Sequence, residues 1–109
     1  MAYDETLAAR IREVTGEIDG EVTERKMFGG LAFMLNGHMF TGVVGDELML
    51  RLGEAGAEAA LHREHVREMD FTGWPMKAMV FVEPAGLGGN ALTGWVTSAA
   101  AFAQSLPPK

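Results

Sequence analysis

A few groups of residues in this 109-residue sequence have types and spacings that suggest chemistry. His62 and His65 flank Glu64, and histidines three apart on a helix share one face and would offer two nitrogens to a metal. Zinc sites take three or four protein ligands, however, and His38, in a separate hairpin, is the only further histidine. The pair reads as solvated surface histidines, and no metal site is expected. Gly86-Leu87-Gly88-Gly89 precedes a helical pattern whose N-terminus would attract an anion. With no lysine or arginine nearby to support a phosphate, it reads as a loop. Gly29-Gly30 lies between strand residues and is followed by no lysine-serine or lysine-threonine pair, so it is no phosphate loop. No cofactor is expected.

Nucleophilic and acid–base chemistry fare no better. The chain has no cysteine, which removes disulfides, thiolate metal sites and thiol nucleophiles together. Ser98 and Ser105 fall in the final helical stretch, away from any strand–turn–helix elbow. Asp70 stands in an otherwise apolar extended piece and reads as an ion-pair partner of Lys77 or Arg51, which burial would require. No acid–base–nucleophile set assembles, and the chain is expected not to be an enzyme.

What remains is a constellation suited to contacts. Lys26 and Phe28 sit beside Gly29-Gly30, and Trp74 precedes the last strand. An aromatic and a cation at a glycine bend suit a peptide or ligand contact; equally, Phe28 and Trp74 would plug the sheet edge. Together with Arg51 and Lys77, the candidate interaction residues are Lys26, Phe28, Gly29, Gly30, Arg51, Trp74 and Lys77.

The elements that must position them follow from periodicity. Asp4 caps a helix over residues 4–16 in which Leu7, Ile11 and Val14 recur at helical spacing. Thr23–Leu35 reads as extended, with Gly29-Gly30 as a bulge or close approach. Asn36-Gly37 is a type I′ hairpin signal, leading into a strand over His38–Val44. Gly45-Asp46 is a glycine-first turn, and Glu47–Leu52 alternates cleanly. A short helix over Glu54–His62, an extended piece over Val66–Phe71, a turn at Thr72-Gly73-Trp74-Pro75 and a strand over Met76–Val82 follow. Pro84–Gly89 is a loop, and Asn90 caps a last helix carrying Leu92, Trp95, Val96, Ala99 and Phe102. The fold class is α+β: a two-layer domain over residues 1–109, its antiparallel sheet covered by helices on one face. Leu31, Phe33, Leu35, Leu48, Leu50 and Leu52 point to the helices. The opposite series, Met34, Met49, Met79 and Phe81, is expected to form an exposed apolar face, hence a contact surface and a homodimer.

Charge narrows the partners. With 9 Lys+Arg against 15 Asp+Glu the net charge is −6, and phosphate neutralisation dominates nucleic-acid affinity. Direct nucleic-acid binding is therefore disfavoured. Residues 1–26 hold seven acidic and four basic residues, whereas Pro84–Pro108 holds no charge at all. A run that long without charge reads as a packed core helix or a helix at a subunit contact. It is too broken by Thr93, Gly94, Thr97, Ser98 and Gln104 to span a membrane. No basic n-region opens the chain, and a cytoplasmic location is expected.

Lys26-Met27-Phe28-Gly29-Gly30-Leu31-Ala32-Phe33-Met34, then Asn36-Gly37, then Met69-Asp70-Phe71-Thr72-Gly73 with Pro75-Met76-Lys77, resembles the TfoX/Sxy N-terminal domain family over essentially the whole chain. The final helix with Trp95 and the ending Ser105-Leu106-Pro107-Pro108-Lys109 are similar to its short members. The resemblance implies an α-β(3)-α-β(2)-α, secretion-chaperone-like fold. It also implies a regulatory or adaptor role through protein contacts, since full-length members regulate bacterial competence with the cyclic-AMP receptor protein and carry a C-terminal domain. It transfers no catalytic residue. A small-molecule-binding domain using the exposed sheet face is the alternative.

Overall fold

Helix α1 (Glu5–Thr15) begins where the sequence supplies its cap: the Asp4 carboxylate accepts from the backbone N–H of Thr6 and Leu7, at 2.9 and 3.1 Å. That satisfies two of the donors a helix start leaves free. The computed structural model describes residues 3–27, 29–71 and 74–107, with residues 27, 69–71 and 74–77 described by backbone alone. Six strands follow α1 in one antiparallel sheet: β1 (Val22–Met27), β2 (Gly30–Leu35), β3 (His38–Val44), β4 (Glu47–Arg51), β5 (Val66–Phe71) and β6 (Trp74–Val82). Their spatial order is β1-β2-β3-β4-β6-β5. Helix α2 (Gly53–Ala60) joins β4 to β5, and a short 3₁₀ turn (Pro84–Gly86) leads to α3 (Ala91–Gln104).

The hairpins obey their turn residues. Asn36 and Gly37 both take positive φ, 52° and 90°, as a type I′ turn demands. Gly45 takes φ 60° at the glycine-first turn. The stretch 23–35 departs from a single interrupted strand: it is two strands folded back on each other, with Lys26 opposite Leu31 and Met27 opposite Gly30. Gly29, with φ 73°, lies in the turn and Gly30 opens β2, so the chain reverses here rather than bulging. Gly30 then lies against β3, where a β-carbon would come within 2.1 Å of the Val43 carbonyl oxygen. The α+β order stands with that one division. β6 also starts two residues earlier than expected, at Trp74, because a residue before proline is held extended. Pro75 pairs only with Asp70 of β5, beyond the end of β4, where its missing N–H costs nothing. Thr72 and Gly73 lie outside the described residues.

The helices share one face of the sheet. Leu7 and Ile11 of α1, Ala57 and Ala60 of α2, and Leu92, Trp95, Val96 and Ala99 of α3 close over Leu31, Phe33, Leu35, Leu48, Leu50, Val80 and Val82. That is the core the alternation predicts. The other face is a correction. Met49, Met79 and Phe81 do point away from the helices, but they are only 1, 5 and 4% exposed and cluster with Ala32; Met34 is half-buried. Part of the cover comes from Arg67, whose guanidinium lies 4.6 Å from the Phe81 ring centre while paired with Glu47. Gly42 helps: the Met49 methyl sits 2.8 Å from where a Gly42 β-carbon would stand. Among the described residues, Leu61 is the one large hydrophobic side chain that is well exposed.

Candidate functional site

The candidate interaction residues that the structure describes do not converge. The register Leu31–Val43–Leu48–Val82 runs straight across the sheet, which places the β1–β2 turn at the end where β6 finishes. Trp74 begins β6 eight residues earlier, roughly 26 Å back along the strand at 3.3 Å per residue and three strands over. Lys26, Gly29 and Gly30 therefore lie at one corner of the sheet, and the backbone of Trp74 and Lys77 lies toward the opposite one. Phe28 is outside the described residues, as are the side chains of Trp74, Lys77 and Asp70. Arg51 turns inward: its guanidinium stands 5.7 Å from the Phe102 ring and 3.5 Å from the Met39 carbonyl oxygen. Arg25 stands in the cross-sheet row of Ala32, Gly42 and Met49, so Arg51 lies three strands away and two residues further along β4, with the backbone of Lys77 two residues beyond Met79, the partner of Arg51. His62 and His65 are exposed, and no metal-type cluster of three residues occurs among the described residues.

A different surface does converge, around α3. Its outer side chains, Thr93, Thr97, Ser98 and Ala101, are exposed together with Gly94, small and uncharged. On one side α3 and α1 enclose an open groove of about 530 Å³. The α1 wall is Glu13 and Val14, continued by Glu17, Ile18 and Asp19; the α3 wall is Thr93, Thr97, Ala100, Ala101 and Gln104. On the other side a smaller groove of about 270 Å³ lies between α2 and α3, lined by Leu52, Gly56, Ala59, Trp95 and Ser98. Arg63 flattens over the Trp95 ring there at 4.1 Å, leaving Trp95 just 6% exposed.

Two hydrogen bonds fix how α1 and α3 lie. Arg10 donates from Nη2 to the Leu87 carbonyl oxygen at 2.6 Å, and Gln104 donates from Nε2 to the Asp19 carbonyl oxygen at 3.2 Å. Residue 10 thus meets the chain before α3, and residue 19 meets its end. The helices run in the same direction, and both C-termini close the same end of the larger groove. Helix C-termini carry partial negative charge, which adds to Glu17 and Asp19 at that end.

The basic residues of α1 are turned elsewhere. Arg10 is held by Leu87, and Arg12 forms a two-pronged ion pair with Glu24 of β1, Nε to Oε2 at 2.7 Å and Nη2 to Oε1 at 2.9 Å. The hydrogen bond from Arg12 holds the Glu24 carboxyl below its ordinary pKa, and the same bond raises that of Arg12. Across the sheet, the Glu47 hydrogen bond likewise raises the Arg67 pKa. Among the described residues, the only charged groups lining the α1 wall of the groove are carboxylates.

Residue-by-residue inspection for chemistry overlooks this surface, because none of its members is reactive. Its signal in the sequence is the charge-free run from Pro84 set against the acidic first 26 residues, with Glu13 and Glu17 one helical turn apart. No curated protein and no solved structure matches the chain. A family model described as the TfoX N-terminal domain matches residues 13–103.

Proposed function

We propose, from the premise that this chain belongs to the TfoX N-terminal domain family, that it is a non-enzymatic, cytoplasmic regulatory or adaptor domain. It works through protein–protein contacts, like the N-terminal domain of TfoX-type competence and transcription regulators. One observation carries this reading: α3 offers an uncharged outer face of small side chains between two grooves. Interface cores are depleted of charge, because burying an unpaired charge costs far more than burying a methyl or hydroxyl group. The partner-facing side is then the helical layer. Self-association or small-molecule binding through an open apolar sheet face loses its footing, since Met49, Met79 and Phe81 are covered within the chain. No helix among the described residues is long and apolar enough to cross a membrane.

The test is affinity capture from native cells with three tagged forms: the unaltered chain, Thr97→Arg on α3 and Arg25→Glu on the sheet face. Thr97→Arg is expected to lose the partners that the unaltered chain and Arg25→Glu retain, with unchanged circular dichroism. Loss on Arg25→Glu alone would place the contact on the sheet and refute the reading.

A further inference from the structure

Building on the protein-contact reading above, we propose that the groove between α1 and α3 receives a basic amphipathic helix of a partner protein. Its length fits. From Thr93 to Gln104 the α3 wall runs twelve residues, eleven rises of 1.5 Å or roughly 16 Å, matching three turns of a docked helix. Its floor fits as well, since Val14, Ile18 and Ala100 are apolar, and small side chains along α3 allow helix axes to approach to about 8 Å. An amphipathic helix laid in such a groove contacts it through residues at i, i+3, i+4 and i+7.

Charge selects the class of helix. Glu13, Glu17 and Asp19 rim one wall, and the C-termini of α1 and α3 add their negative poles at the Asp19 end. The two arginines of α1 that would neutralise this wall are engaged by Leu87 and Glu24. α3 contributes no charge of either sign. A helix with leucines on one stripe and lysines or arginines beside it is complementary to both features. An acidic helix would be repelled by the same wall, which gives the groove its discrimination.

The probe is a 16-residue amidated peptide with leucine at the i, i+3, i+4 and i+7 positions and lysine flanking them. A counterpart with glutamate for lysine serves as comparison. Each is titrated against the isotopically labelled full chain and followed by backbone amide shifts and fluorescence anisotropy. The lysine peptide is expected to shift amides of residues 13–19 and 93–104, and to bind at least tenfold more tightly than its glutamate counterpart. The triple change Glu13→Gln, Glu17→Gln, Asp19→Asn is expected to weaken it about tenfold, as three rim pairs of modest strength would. A control of equal net charge, Asp46→Asn, Glu54→Gln, Glu58→Gln, is expected to leave affinity unchanged, which separates a built site from general attraction to an acidic chain. No binding, shifts confined to the α2–α3 groove or the sheet, or equal weakening by both triple variants would overturn the proposal. If the glutamate peptide seats in this groove as tightly as the lysine one, the basic class falls while the contact reading stands. If Thr97→Arg also leaves capture unchanged, both fall.

Discussion

Arg67→Ala is the sharpest test of the claim that the chain covers its own far sheet face. Arg67 lies flat over Phe81 and pairs with Glu47, Nε to Oε2 at 2.8 Å. Truncation bares one ring face, roughly 50 Å² of the 150–250 Å² an aromatic side chain buries, or about 1.3 kcal/mol at 25 cal/mol per Å². The cation–π contact adds about 0.5 kcal/mol at a half-exposed site. The ion pair, screened by solvent because Arg67 is 47% exposed, adds a few tenths more. The expected loss is about 2 kcal/mol, near an 8 °C fall in Tm for a domain of this size, read by urea and thermal unfolding. Arg67→Met keeps the hydrocarbon cover and is expected to lose about half as much. Arg67→Ala should also bind an apolar fluorescent dye and shift toward dimers in light scattering as the face opens. A loss under 0.5 kcal/mol with no dye binding would show that Arg67 does not cover the face.

Gly30→Ala drives a β-carbon to 2.1 Å from the Val43 carbonyl; breaking the β2–β3 pairing should cost about 3 kcal/mol or more, seen as a collapsed urea midpoint. Asp4→Ala removes two capping hydrogen bonds and should cost about 1 kcal/mol, with early hydrogen exchange in the first turn of α1. The Arg12–Glu24 pair sets an acid-side dependence. Because the folded Glu24 pKa lies below its unfolded one, its contribution is complete above the unfolded carboxylate range and fades as pH falls through the folded value. Glu24→Gln should flatten the dependence of Tm on pH below pH ~5 and leave it unchanged above that.

The layer order, the I′ turn at Asn36-Gly37 and the helix-facing leucines were legible because each rests on local chemistry: period, turn φ and alternation. The division of 23–35 into two strands was less legible, since a glycine pair serves a bulge and a reversal equally well and only the pairing of Met27 with Gly30 decides. The described members of the candidate set stand apart for a topological reason. β6 inserts beside β4, ahead of β5, and that long-range pairing separates Trp74 from Lys26 although both flank turns. The far face misled for a chemical one, because period 2 tells which way Met49 and Phe81 point but not that Arg67, opposite Phe81 on β5, lays its guanidinium over that ring. The α1–α3 groove left its trace in charge distribution rather than in any motif.

Site-specific photo-crosslinking in native cells tests the location of the contact most directly, with a benzophenone side chain placed at Thr97 on α3 or at Arg25 on the sheet. The structure predicts a protein adduct from Thr97 that disappears on neutralising Glu13, Glu17 and Asp19, and none from Arg25. Adducts from Arg25 with a silent Thr97 would contradict it.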